Sequence, residues 1–109
     1  MSNSNDLLQG TLDLLILRTL QPEAMHGWAI AQRIQLISRD VLQVQQGSLY
    51  PALHRLELAG FLESEWKLSG ANRRAKFYRI TPPGRKRLAA ESQNWARLAA
   101  GIAKVMGTA

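Results

Sequence analysis

Apolar and polar positions follow two periods along this chain, and each change of period marks an element. Over residues 7–20, Leu8, Leu12, Leu15 and Ile16 form one apolar flank, and Leu7, Leu14 and Leu17 form another on nearly the opposite side. The spacing predicts a helix that starts near Asn5 or Asp6, ends before Pro22 and is buried on two sides. Its own domain can cover one side, and the other needs a second partner. After a connector holding Pro22 and Gly27, a second helix is expected from Gly27 to Ile37 or Ser38. Ile30, Ala31, Ile34 and Ile37 make its buried stripe, and Gln32, Arg33 and Gln35 its outer face. Residues 39–46 read as a linker anchored by Leu42 and Val44.

The chain is organised around the stretch GSLYPALHRLE at residues 47–57. Leu49, Leu53 and Leu56 recur at spacings of four and three and fall on one helical face. Ser48, Tyr50, Pro51 and His54 lie away from that face, near the N-terminal end. Pro51 is expected in the first turn, where its missing N–H breaks no intrahelical bond, and Gly60 at the left-handed position that ends the helix. The period then drops to two. Leu62, Trp66 and Leu68 alternate with Glu63, Glu65 and Lys67, which predicts a half-buried strand. Residues 69–74 hold Gly70 and Asn72 and read as a turn, and residues 76–80 as the return strand of a hairpin.

Thr81 then caps a last helix with Pro82 at its first position. From Leu88 onward apolar residues fall on a seven-residue repeat, with Leu88, Trp95 and Ile102 at one position and Leu98 and Val105 at the other, interrupted by Glu91. Such a seam is best buried against another helix, and the two-sided first helix offers matching surface through Leu7 and Leu14. The predicted fold is mainly α with a small β-hairpin: a winged helix-turn-helix over residues 1–80 and a long dimerisation helix over residues 81–109, in one compact unit. The last three residues are expected to fray.

Charge changes this picture by its position. Of the 14 Lys and Arg among 109 residues, seven (Arg73, Arg74, Lys76, Arg79, Arg85, Lys86 and Arg87) lie between 73 and 87 with no acidic residue among them. A concentrated basic segment is either a footprint for phosphate or a solvated surface. Placed at and beside the tip of a hairpin that succeeds a polar-fronted helix, Arg73, Arg74 and Lys76 suit contact with a phosphate backbone or the adjacent minor groove. There is no cysteine, hence no disulfide or thiolate metal site. The polar start and the short, charge-broken apolar run at 7–20 indicate neither a signal peptide nor a membrane span, so a cytoplasmic protein is expected.

HGWAIAQRI, GSLYPALHRLE, GFLESEW and RRAKFYRITPPGRKRL together resemble the PadR family of bacterial transcriptional regulators, from about residue 7 to the end. The single C-terminal helix resembles the family's short subfamily, and Trp28 stands where many members have tyrosine. The resemblance implies a homodimer that binds a pseudo-palindromic double-stranded DNA operator, usually as a repressor, with release by a small aromatic effector or other signals. Carried over position by position, it places Gln46, Gly47, Ser48, Tyr50, Pro51 and His54 at the front of the recognition helix and Arg73, Arg74 and Lys76 on the basic wing. Ser48 and Tyr50 hydroxyls suit phosphate oxygens near a helix N-terminus, while Pro51 and His54 suit a thymine methyl or a purine acceptor. His54 can equally face solvent, Tyr50 can be a packing aromatic, and Gln45 and Gln46 can read adenine or be linker groups. Some members use a tryptophan pair at the position of Trp95 to sandwich flat aromatic molecules, against which stands a Trp95 that only fills a dimer core.

No catalytic reading survives the inventory. His26 and His54 have no cysteine or motif carboxylate beside them, and phosphate loops and H-E-x-x-H patterns are absent. No cofactor or metal is expected. Two alternatives remain: a winged-helix protein-interaction module with an acidic partner, and a nonspecific architectural DNA binder.

Overall fold

The computed structural model describes residues 4–70 and 72–108, with side chains over 10–70 and 72–107. Its elements are α1 (Ser4–Leu20), β1 (Met25–His26), α2 (Gly27–Ile37), α3 (Gln46–Leu58), β2 (Leu62–Ser69), β3 (Arg73–Ile80) and α4 (Pro82–Thr108). The helices match the predicted periodicity, and α2, α3 and α4 carry readable boundary signals. His26 caps α2, its Nδ1 accepting the Ala29 N–H at 3.3 Å. Beyond the Ala59 cap of α3, the Gly60 N–H donates to the Glu57 carbonyl at 3.0 Å and the Phe61 N–H to that of Leu56 at 2.9 Å. That Schellman pairing needs Gly60 at its φ of +85°. Thr81 caps α4 as expected, its Oγ1 accepting the Gly84 N–H at 3.1 Å. The same hydroxyl donates to the Gly60 carbonyl at 2.7 Å, so one threonine ties the end of α3 to the start of α4.

The core is a single cluster. Leu12, Ile16, Leu17 and Leu20 of α1, Ile30 and Ile34 of α2, and Leu49, Ala52, Leu53 and Leu56 of α3 meet Leu62, Tyr78 and Ile80 of the sheet and Leu88 of α4. Leu42 and Val44 pack against it from the α2–α3 connection. The sheet is antiparallel with order β1-β3-β2, and Leu62 pairs with Ile80 through to Ser69 with Arg73. β1 adds only Met25 opposite Tyr78 and His26 opposite Phe77.

Several expectations are corrected. The sheet has a third strand, because two residues carry no period to detect. Arg73 and Arg74 lie in β3 and not in the turn, whose described residues Gly70 and Asn72 have φ of +51° and +61°. Trp66 and Leu68 share a face with buried Leu62 yet are 58% and 70% exposed, since the core ends beneath Leu62. Ile37 is exposed, one turn beyond buried Ile34. Leu17, assigned to the outer flank of α1, is fully buried, while Leu14 is half-buried against the core; Leu7 and Leu8 lie outside the residues whose side chains are described. Leu88, assigned to the intermolecular seam, is 4% exposed and belongs to the chain's own core. The tail remains helical through Thr108. Beyond Leu88 the large apolar side chains of α4, from Trp95 to Met106, are all more than half exposed.

Candidate nucleic-acid interface

α3 is divided lengthwise. Its rear (Leu49, Ala52, Leu53, Leu56) is buried, while Gln46, Gly47, Tyr50, Pro51 and His54 are exposed and Ser48 is half-buried at the front. Gln45 at the N-cap makes no side-chain cap bond, and the first turn carries no acidic residue. The Ser48 and Leu49 N–H groups both donate to the Gln45 carbonyl, at 3.0 and 2.9 Å, so among the described residues the Gln46 and Gly47 N–H groups are the ones left for an outside acceptor, and the helix dipole favours that acceptor being an anion. Because the helix starts at Gln46, Pro51 lies inside it and not in the first turn. Its ring removes the N–H that would have bonded the Gly47 carbonyl. A Cβ built on Gly47 would meet nothing in the chain, so packing does not require this glycine. Tyr50 has an internal contact: a Cβ at Gly27 would come within 2.8 Å of its Cε1. Its ring thus lies over the start of α2 while the residue remains 44% exposed.

Three polar braces fix the direction of this front. Arg55 Nη2 donates to Asp13 Oδ1 at 2.8 Å, joining α3 to α1. Burial raises the Asp13 carboxyl above its ordinary value even with the guanidinium beside it. On the wing side, the Ser64 hydroxyl donates to Glu57 Oε2, and Lys76 Nζ lies 3.4 Å from Glu57 Oε1. The Ser64 hydrogen bond first, then the Lys76 charge, hold Glu57 below the usual carboxylate range. Thr81 closes the third brace at the C-terminal end of α3.

The basic segment divides once its partners are known. Lys76, Arg79 and Arg87 are each paired with a carboxylate, from Glu57, Glu63 and Glu91 respectively. Among the described residues Arg73 and Arg74 have no carboxylate partner, and both are exposed near the hairpin tip. Lys76, expected on the phosphate backbone, is engaged with Glu57 of α3 from midway along the wing. Arg74 lies over the Trp66 ring, its Cζ 5.5 Å from the centroid. The dimerisation candidates Trp95, Leu98, Ile102 and Val105 are all more than half exposed along α4, together with Met106.

Sequence reasoning found the polar front and the basic hairpin but missed Asp13, Arg55, Glu57 and Trp66. Asp13 and Arg55 lie 42 positions apart, so no local pattern joins them. Trp66 did have a signal: it is in register with Leu62 on a strand continuing beyond any residue able to cover it.

A three-helix core with α3 presented beside a basic two-stranded wing defines a winged helix-turn-helix, a DNA-binding architecture. A model of the transcriptional regulator PadR-like family matches residues 16–90, and the chain belongs to that family. It is 40% identical over 75 residues to the transcriptional regulator Rv3488 of Mycobacterium tuberculosis, covering 69% of this chain and 66% of that one. A PadR family transcriptional regulator from Eggerthella lenta superposes with a TM-score of 0.80 at 32% identity, covering 95% of this chain and 88% of that one. A transcriptional regulator from Clostridium thermocellum gives 0.83 at 28% identity, covering 91% and 96%. The protein is accordingly a DNA-binding transcriptional regulator and not an enzyme. Among the described residues no helix is long and apolar enough to cross a membrane.

Proposed function

We propose that this protein binds a pseudo-palindromic operator as a homodimer and represses transcription by occupying it. One observation carries the reading. The buried and braced rear of α3 leaves a polar front at a helix N-terminus without a side-chain cap, and the wing's exposed Arg74 lies on the hairpin face whose Ser64 and Lys76 reach Glu57 of α3. Gln46, Gly47, Ser48, Tyr50, Pro51 and His54 then enter the major groove, and Arg73 and Arg74 meet the flanking backbone or minor groove. Lys76 contributes by holding the wing.

Residues 1–80 carry the DNA-binding function and residues 81–109 the dimerisation function. The second subunit covers Trp95, Leu98, Ile102 and Val105 along α4, with Leu7 and Leu14 of α1 alongside. Support comes from the seven-residue spacing of these α4 side chains and from their exposure. Two-fold symmetry makes the operator an inverted repeat, with half-sites about one helical turn apart. Repression needs only occupancy of the DNA. A flat aromatic effector would stack between the Trp95 side chains of the two subunits and bias their relative position.

The test is an anisotropy titration against duplex from upstream of the protein's own gene, with a scrambled duplex as control. A preference on the order of a thousandfold is expected for a specific regulator. Ser48→Ala with Tyr50→Phe should weaken that binding with the thermal midpoint unchanged. Equal affinity for both duplexes, repeated with a selected sequence, would turn the reading towards an architectural binder or a protein-interaction module.

A further inference from the structure

On a β-strand successive side chains face opposite ways, so the hairpin separates its basic residues. The ladder pairs Ser64 with Tyr78, Trp66 with Lys76 and Leu68 with Arg74, which puts these six on one face. Arg73, Arg79 and Lys67 take the other. The first face is the one turned to α3, because Ser64 and Lys76 both reach Glu57. Trp66 and Arg74 are the next residues out on that face, diagonal neighbours with the guanidinium 5.5 Å from the indole centroid. Of the two tip arginines, Arg74 is therefore the one on the hairpin face turned to α3.

Folding does not account for Trp66. The core under this face ends at Leu62, Tyr78 and Ile80, and β1 reaches only as far as Phe77. Towards the tip the wing is a two-stranded ribbon, and it carries an indole that is 58% exposed. A long arginine on such a ribbon would sample many rotamers, and fixing it on contact with DNA would cost conformational entropy. An aromatic face beside the guanidinium removes part of that cost in advance while leaving the charge able to meet an anion.

We infer that Trp66 is a positioning residue for DNA binding, its indole holding the Arg74 guanidinium in line with the recognition helix. The inference rests on the proposed DNA-binding role of α3 and the wing. It adds a residue that touches the wing arginine and sets where that arginine meets DNA.

A double-mutant cycle on the operator duplex tests it, using Trp66→Leu, Arg74→Gln and the pair, with thermal unfolding as a check on the fold. Trp66→Leu should weaken binding about two- to fivefold per wing, the range of an exposed cation–π contact. The salt dependence should stay as in the parent, because every charge remains. In the Arg74→Gln background the same change should have little further effect. Trp66→Tyr, which keeps an aromatic face and is the variant to use should the leucine form unfold, should recover most of the affinity. Independent, additive losses would overturn the inference, as would a tyrosine variant no better than leucine or a Trp66→Tyr protein in which Arg74→Gln costs nothing. A parent that binds native and scrambled duplexes equally would instead refute the DNA-binding role beneath it.

Discussion

Lys76 and Arg74 lie two residues apart on one face of the wing, and the structure predicts opposite electrostatic behaviour for them. Arg74 has no carboxylate partner among the described residues, whereas Lys76 Nζ is 3.4 Å from Glu57 and shares that carboxylate with the Ser64 hydroxyl. Each phosphate neutralised on duplex DNA contributes about 0.9 to the slope of log affinity against log salt. With one wing per subunit, Arg74→Gln should reduce the slope of a dimer by about 1.8. Between about 50 and 200 mM salt, the variant should therefore lose roughly twelvefold less affinity than the parent. The pair Glu57→Gln with Lys76→Gln removes one charge of each sign from the contact between α3 and the wing and should leave the slope within a few tenths of the parent's. The assay is anisotropy titration at four or more salt concentrations, on operator and scrambled duplex. A charge-neutral pair that lowers the slope as much as Arg74→Gln would show that Lys76 leaves Glu57 for phosphate in the complex, and would refute this division of labour on the wing.

Two glycines should respond in opposite ways to alanine. At Gly84 a Cβ would collide with the Phe61 carbonyl oxygen and crowd Ile80, so Gly84→Ala should cost on the order of 1–3 kcal/mol and lower the thermal midpoint. At Gly47 a Cβ meets nothing, so Gly47→Ala should leave the fold unharmed or gain up to about 1 kcal/mol while weakening operator binding; full affinity would mean that DNA does not approach α3 there. Ile102→Glu puts a charge on the exposed α4 seam and should shift sedimentation towards monomer, and an unchanged profile would remove Ile102 from the interface. Glu57 has a lowered folded-state pKa, so its stabilisation is present above the unfolded value near 4.5 and is lost as pH falls through the folded value. Denaturation below about pH 4.5 should accordingly be less pH-dependent in Glu57→Gln than in the parent.

What the sequence revealed and what it concealed have separate physical causes. Helices α2 and α3 were legible because burial imposes a 3.6-residue period and α4 through its seven-residue apolar repeat, and Gly60 and Thr81 marked ends through backbone chemistry that few residues satisfy. Alternation identified the face of β2 on which Trp66 and Leu68 lie but not how far the core extends beneath it. The same limit misplaced Ile37 and Leu88, each on the expected stripe but at the other side of the core boundary. Leu17 was misassigned because a helix packed by α2, α3 and α4 together is buried over more than one narrow stripe. Within the candidate interface, residue types announced the polar front of α3 and the basic hairpin. The bracing by Asp13, Arg55 and Glu57 depends on segments brought together only by the fold.

The central claim is that α3 and the wing read a DNA sequence as a symmetric pair. Selection from a random duplex library with the purified protein tests this without assuming an operator. A symmetric pair should enrich an inverted repeat with half-sites about one helical turn apart, and the Ser48→Ala, Tyr50→Phe protein should lose that enrichment. Recovery of duplexes without a shared sequence, under conditions where the protein still binds them, would contradict it.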